Sequence, residues 1–415
     1  MRAISLKLPD DASYARRILI SAAIPACAFL VYSSLRLAWA DHLSRASDAE
    51  TIGRAVAWSP GDADLRLKLA ALKQAGGADP APALLAAARL DPMNAEVRIR
   101  LGLVAELRGN LPAAEDDLLE AARRSRQFAP RWTLANYYFR RGDQEQFWRW
   151  ARESLLLGYG EVNPVFQLCW NMRPDAAFIL ERVIPDRRDV LSSYLGFLVQ
   201  ERRLAASGPV ARKLAPLATK DDQRILSTYC DWQIEAGSTP AAVDVWNTLC
   251  NRRLLPYAPL DPARAPLTDG SFNSVSGDGF AWRIAPGLAV TIGRNPSPRY
   301  LWINFSGDQP ETCEPLLQYI PVTPGASYRF GFQYHTSELP AASGLRWRVS
   351  DGRTGADLAP KSPWLSSTDW KPAEIEFRAP ASGLVCLRLS CQRQPGATRI
   401  EGDVELRHAS VERLP

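Results

Sequence analysis

Histidine is scarce in this chain. His42, His335 and His408 are far apart in 415 residues, which argues against a His-based metal centre. Seven cysteines stand at 27, 169, 230, 250, 313, 386 and 391, with no C-x-x-C pair, so zinc is disfavoured. An odd number cannot all pair within the chain, which excludes a dense disulfide framework. Buried free thiols are the simplest reading, although in an exported domain Cys386 could pair with Cys391, or either with Cys313. Charge of one sign is also lacking. A net charge of +5 is slight for this length, and without a concentrated basic face the chain is not expected to bind nucleic acid. No G-x-S-x-G, H-E-x-x-H, P-loop or G-x-G-x-x-G occurs. Glu374 and Glu376, two apart on a predicted strand, would share one face, but acids on the wet side of an antiparallel strand account for them more simply than catalysis. We therefore expect no enzymatic activity, no cofactor and no metal.

An apolar fraction of 46% and a charged fraction of 23% are those of an ordinary globular protein, and 415 residues imply two or three domains. Near the start, Arg16-Arg17 precede an apolar run from Ile18 to Leu35, interrupted only by small residues, Tyr32 and Pro25. As a helix this run would rise about 27 Å, just enough to cross a bilayer. Arg2, Lys7, Arg16 and Arg17 lie before it and Arg36 directly after, so the positive-inside rule keeps the N-terminus in the cytoplasm and exports the rest. Ala38-Trp39-Ala40 offers the alternative of a signal peptide cleaved after Ala40. The run is longer than a usual signal core, which favours an uncleaved anchor.

The region from about residue 60 to Gly158 shows an internal period. Leu67, Leu101 and Ala135 are 34 residues apart, as are Ala71, Ala105 and Phe139, and Ala87, Ala121 and Leu155. Two amphipathic helices per 34 residues are the signature of tetratricopeptide (TPR) repeats. A helical segment is expected from Asp41 to about Gly61, then helices over 62–74 and 83–90. Asn94 should cap the next helix, Leu101-Gly102 should allow its partner to approach closely, and Gly109-Asn110 and Gly142-Asp143 should turn. Arg152 stands where Leu84 and Leu118 lie in earlier repeats, which suggests a repeat edge or an exposed groove. Beyond Glu161 helices are expected at 163–171, 174–183, 187–203, 207–217, 221–236 and 239–252, as irregular units ending a solenoid.

Pro256, Pro259, Pro262 and Pro266 mark a stiff linker. After Leu267 short alternating runs replace the helical period: Tyr300–Phe305, Leu316–Val322, Tyr328–His335, Leu345–Ser350, Glu374–Arg378, Leu384–Cys391 and Val404–Val411. Such runs predict a β-sandwich. Tyr328, Phe330, Phe332 and Tyr334 should face inward with Arg329, Gln333 and His335 outward, and Leu345, Trp347 and Val349 inward with Arg346 and Arg348 outward. Leu387 and Leu389 should likewise leave Arg388 outside. The expected fold class is thus multidomain α + β: 1–40 tail and transmembrane or signal-anchor helix, 41–255 TPR-like α-solenoid, 256–266 Pro-rich linker, and 267–415 antiparallel β-sandwich (jelly roll).

The stretches Leu267-Thr268-Asp269-Gly270-Ser271-Phe272, Gly279-Phe280-Ala281-Trp282, Pro324-Gly325-Ala326-Ser327-Tyr328-Arg329-Phe330 and Gly344-Leu345-Arg346-Trp347-Arg348-Val349 resemble the galactose-binding-like β-sandwich of carbohydrate-binding modules. With the repeats and the N-terminal helix, the whole chain resembles membrane-anchored TPR proteins associated with bacterial exopolysaccharide synthesis and export. The resemblance implies a single-pass protein of the bacterial inner membrane with its bulk in the periplasm, a protein partner in the TPR groove and a polysaccharide ligand on the sandwich.

Sugar recognition calls for a flat aromatic and planar polar groups. Trp364 and Trp370 lie in a Pro/Ser-rich loop, and Arg346, Arg348 and Arg388 could line a sheet face, so these five are the candidate glycan contacts. The plainer alternative is that both tryptophans cover an end of the core. Trp282 and Trp347 read as core. Of the aromatic cluster around residues 132–150, Tyr137 and Trp148 lie off the predicted packing stripe and are candidates for the partner groove. Asp269, Asp278, Glu401 and Asp403 could clip a structural calcium ion, but Asp-Gly turns explain them more cheaply.

Overall fold

The computed structural model describes residues 11–158, 160–264, 266–274, 277–396 and 398–415. The basic tail with Arg2 and Lys7 lies outside the described residues. The chain forms two compact units, Met1–Glu161 and Val162–Pro415.

In the first unit the apolar run folds into α1 (Asp11–Ser44), which continues without a break through Ala38-Trp39-Ala40. Its segment Ser21–Ser44 is long and apolar enough to cross a membrane. The segment expected as one helix from Asp41 to Gly61 is instead the end of α1, a bend, and α2 (Ala49–Trp58), which starts where the Asp48 carboxylate accepts from Thr51 N at 2.7 Å.

Helices α3 (Ala63–Ala75), α4 (Ala81–Leu90), α5 (Ala95–Leu107), α6 (Leu111–Arg124), α7 (Phe128–Arg141) and α8 (Gln144–Leu157) follow as antiparallel hairpins. Their starts are written in side-chain caps. Asn94 accepts from Glu96 N and Val97 N at 3.0 and 3.3 Å, and Asp62, Asn110 and Asp143 cap α3, α6 and α8 in the same way. Gly142 ends α7 at φ 70°, a left-handed turn natural to glycine. The period survives as packing, because Ala87, Ala121 and Leu155 are all fully buried. Gly102 has the role expected of it: a Cβ there would lie 2.7 Å from Leu118 Cγ, so only glycine lets α5 and α6 close on each other.

The second unit begins with α9 (Asn163–Met172), α10 (Ala176–Arg182), α11 (Arg188–Gln200), α12 (Leu204–Leu214), α13 (Gln223–Ala236) and α14 (Thr239–Asn251). The Pro-rich stretch that follows is anchored rather than free. Asn247 holds Leu260 through both its main-chain N–H and carbonyl, at 2.7 and 2.8 Å, and Tyr328 OH donates to Pro262 O at 2.7 Å. The helices on its N-terminal side therefore belong with the sandwich on its other side. Trp246 of α14 stacks on Tyr257 and meets Phe280 edge-on. On α13 the Asp231 carboxylate accepts from Gly279 N at 2.8 Å and pairs with Arg283.

Among the described residues the strands are β1 (Arg283–Ile284), β2 (Val290–Pro296), β3 (Arg299–Ser306), β4 (Thr312–Pro321), β5 (Ser327–Ser337), β6 (Leu345–Asp351), β7 (Lys371–Arg378), β8 (Leu384–Gln392) and β9 (Glu401–Arg413). They form two antiparallel sheets in the orders β1-β4-β8-β6 and β2-β3-β9-β5-β7. Between them lie Trp282, Trp347, Tyr328, Phe330, Leu387 and Leu389, all fully buried. The alternation assigned these faces correctly. Strands β1 and β2 were not expected. β1 is only two residues long, and Gly293, Asn295 and Pro296 hide β2, which is an edge strand where proline is tolerated.

All seven cysteines are free thiols. Cys313 and Cys391 are register partners across β4 and β8. Cys386 cannot pair with Cys391, because an odd separation on one strand sends the two side chains to opposite faces.

Candidate functional site

The alternation that builds the core leaves two outward faces on the sandwich, and they differ in chemistry. Across the four-stranded sheet one row reads Arg283, Leu317, Arg388 and Arg348. Three like charges side by side would repel, but each has an acid. Arg283 pairs with Asp231 from α13. Glu314 accepts from Arg388 at 2.6 Å and from Arg348 at 3.4 Å, and Asp357 holds Arg348 at 2.9 Å. Burial raises the Asp231 carboxyl above its usual range, and the neighbouring guanidinium opposes the shift. The next row, Tyr319, Cys386 and Ser350, is half to fully buried. Arg346 differs from its neighbours: it stacks over Trp364 at 4.2 Å and, among the described residues, has no carboxylate at ion-pair distance. Burial and the adjacent Arg348 hold its guanidinium below its ordinary value.

The outer face of the five-stranded sheet is aromatic and polar. One row runs Gly293, Trp302, Glu405 and His335. The Trp302 indole crosses directly over Gly293, where a Cβ would sit 2.3 Å from Cζ2, so the glycine gives the ring a flat seat. His335 Nδ1 lies 3.3 Å from Glu405 Oε2. Trp370, from the loop before β7, closes the end of the row. It meets His335 and Tyr300 at centroid distances of 5.8 and 5.9 Å and takes the Arg407 guanidinium over its face at 3.9 Å. Planar polar groups flank the rings: Arg407 donates to Gln333 Oε1 at 2.9 Å, Asn295 to Tyr300 OH at 2.8 Å, and Asn304 to Asp403 Oδ1 at 2.9 Å. All these side chains are half-buried, held in place yet accessible. An open cleft of about 680 Å³ runs along β2, lined by Asn273, Gly293, Arg294, Asn295 and Arg299 among others.

The sequence-predicted residues divide between these faces. Arg346, Arg348, Arg388 and Trp364 do meet on the four-stranded sheet, where Arg348 and Arg388 are occupied by structural ion pairs. Trp370 belongs to the other face. Tyr300, Trp302, Asn304, Glu405 and Arg407 are not among the sequence-predicted residues, and their adjacency depends on β9 lying between β3 and β5. That is a sheet order with no local signal.

One further expectation is corrected. Tyr137 and Trp148 are 2% and 6% exposed, so they pack inside the helical unit and do not wall a groove. Tyr137 meets Tyr138 edge-on and Trp148 meets Phe147, and this aromatic packing draws in residues off the simple stripe. Trp132, half-buried and stacked on Phe128 at 6.1 Å, keeps accessible surface on α7. Of the acids weighed for a calcium clip, Asp269 and Asp403 are engaged locally. Among the described residues no three His, Cys, Asp or Glu side chains converge as metal ligands. Asp269 instead caps its own turn, accepting from Asn273 and Ser274 N at 2.9 and 2.7 Å, Asp403 is taken by Asn304, and Asp278 is exposed.

No family model and no curated protein sequence matches the chain. Among solved structures, a CBM4 module is similar at 11% identity and TM-score 0.26, over 35% of this chain and 98% of the module. A CBM61 module in complex with β-1,4-galactotriose is similar at 18% identity and TM-score 0.27, over 37% of this chain and all of the module. PilF of Pseudomonas aeruginosa is similar at 15% identity and TM-score 0.25, over 55% of this chain and 91% of that protein.

Proposed function

We propose that this protein is a non-catalytic, membrane-tethered scaffold. Its helical repeats recruit a protein partner, and its sandwich holds a glycan on the outer face of the five-stranded sheet, in the assembly or export of an exopolysaccharide. The observation that carries the glycan reading is the row Trp302, Glu405, His335 and Trp370. A ring lying flat on glycine offers a surface for the apolar face of a sugar, and side chains already held by neighbours supply hydrogen bonds to hydroxyls without further ordering.

The unbroken course of α1 through Ala38-Trp39-Ala40, with Ala40 only 3% exposed, supports an uncleaved anchor. The positive residues ahead of the apolar run support a cytoplasmic N-terminus and a periplasmic bulk. A mature N-terminus beginning at Asp41 would reject the anchor in favour of secretion. A C-terminal reporter active only in the cytoplasm would reject the topology.

Calorimetry of the full chain in detergent against a panel of neutral and acidic glycans tests the ligand reading, with binding expected and weakened by Trp302→Ala. The second reading is a protein-only adaptor with a structural sandwich, favoured by the ion pairs that occupy Arg348 and Arg388. Absence of binding across the panel would select it.

A further inference from the structure

On the reading that α1 spans a bilayer, we propose that the corner between α2 and α3 rests on the lipid surface, with Trp58 in the headgroup layer. α2 runs back along α1, so its C-terminal end returns toward the apolar run. Trp58 shares a shallow, largely apolar depression with Tyr32, Leu35, Arg36 and Trp39. The following turn, Ser59 to Asp62, lies beside Leu37, Ala40 and Asp41. Trp58 is therefore level with residues inside the membrane-spanning segment, and α1 cannot bury itself as far as Leu37 without carrying Trp58 to the interface.

The joint between the two helices is stiff. Ala40, Ile52 and Ala55 are 3%, 0% and 0% exposed, and Lys68 Nζ donates to Ser44 O at 2.5 Å across the end of α1. The surface facing outward from this joint is apolar and aromatic: Tyr32 58%, Leu35 66%, Leu37 53%, Trp39 49% and Trp58 42% exposed. Trp and Tyr rings prefer the level of the headgroups, and an arginine such as Arg36 can extend its guanidinium to lipid phosphate while its stem stays in the apolar layer. The patch is continuous with the surface that lipid tails would cover, which selects the bilayer as its occupant over a water-facing partner. The repeats would then be seated on the membrane.

The test uses the full chain in phosphatidylcholine–phosphatidylglycerol nanodiscs. The background is Cys27→Ala, since Cys27 is the exposed thiol and the other six are buried. Trp58→Cys and, as a second reporter, Trp39→Cys carry an environment-sensitive fluorophore, with folding checked by circular dichroism. Leu30→Cys reports the span and Leu107→Cys, 78% exposed on α5, reports open water. We expect blue-shifted emission at 58 and 39, quenched more by shallow than by deep lipid nitroxides, with 107 unquenched. If 58 and 39 behave like 107 while 30 is quenched, the docking proposal is overturned and the anchor stands. If 30 is unquenched as well, the membrane-spanning reading falls and this inference with it.

Discussion

The two outward faces of the sandwich arise from the same rule of alternation and end with opposite characters. On the four-stranded sheet three of the four arginines that leave the core, Arg283, Arg348 and Arg388, are met by acids from α13, β4 and the loop after β6, and Arg346 stacks on an aromatic instead. On the five-stranded sheet the β5–β7 side also carries an ion pair, Arg329 with Glu376 and Glu374, while across β2, β3 and β9 the outward side chains are aromatics, amides and single charges that satisfy one another laterally. A charged row is stable only when neutralised, and once neutralised it has little left to offer a ligand. An aromatic seated on glycine loses nothing by remaining open. Availability thus separates the two faces more than the number of polar groups each carries.

This contrast can be broken at several points. The largest effect is expected for Trp246→Ala, which removes the ring that joins α14 to Tyr257 and Phe280. Thermal or denaturant unfolding should show a loss of about 3–5 kcal/mol, with glycan affinity kept at temperatures where the variant is folded. Asp231→Ala should follow at about 2–3 kcal/mol, because it strands Arg283 and the Gly279 N–H, each largely removed from water.

Trp302→Ala should leave the unfolding midpoint nearly unchanged and weaken glycan binding by roughly 10- to 100-fold, a loss of about 1.4–2.8 kcal/mol in calorimetry. Equal binding by wild type and variant would remove this face from consideration. Glu314→Gln should cost about 1–2 kcal/mol of stability by setting Arg388 and Arg348 against each other, and added salt should recover part of it. Arg346→Ala should shift stability by no more than about 0.5 kcal/mol. If it instead abolishes binding of an acidic glycan, the four-stranded face is the ligand face and the comparison inverts.

Much of this architecture was legible residue by residue. The 34-residue step became buried Ala87, Ala121 and Leu155, Asn94 caps the helix it was expected to cap, and Gly102 is where two helices touch, because each effect acts within one or two turns of chain. Legibility failed where partners are distant. Tyr137 and Trp148 were assigned to a groove because a helical stripe treats each helix alone, whereas neighbouring helices cover more than one face. The Pro-rich stretch reads as a stiff linker because of its four prolines, yet Asn247 and Tyr328 hold it from either side. β2 escaped notice because its glycine and proline are features of an edge, and edges are defined only by the sheet they bound.

By itself, the order of residues determined the apolar run long enough to cross a bilayer, the paired helices, and the side of each strand that turns inward, since periodicity and capping are local. Tertiary structure alone decided that β9 lies between β3 and β5 and so brings Trp302, Glu405, His335 and Trp370 into one row. It also decided that Glu314 and Asp357 silence two of the arginines opposite. Both outcomes depend on which strands become neighbours, and strand pairing is selected by the packing of the whole core, with no signal in any one segment.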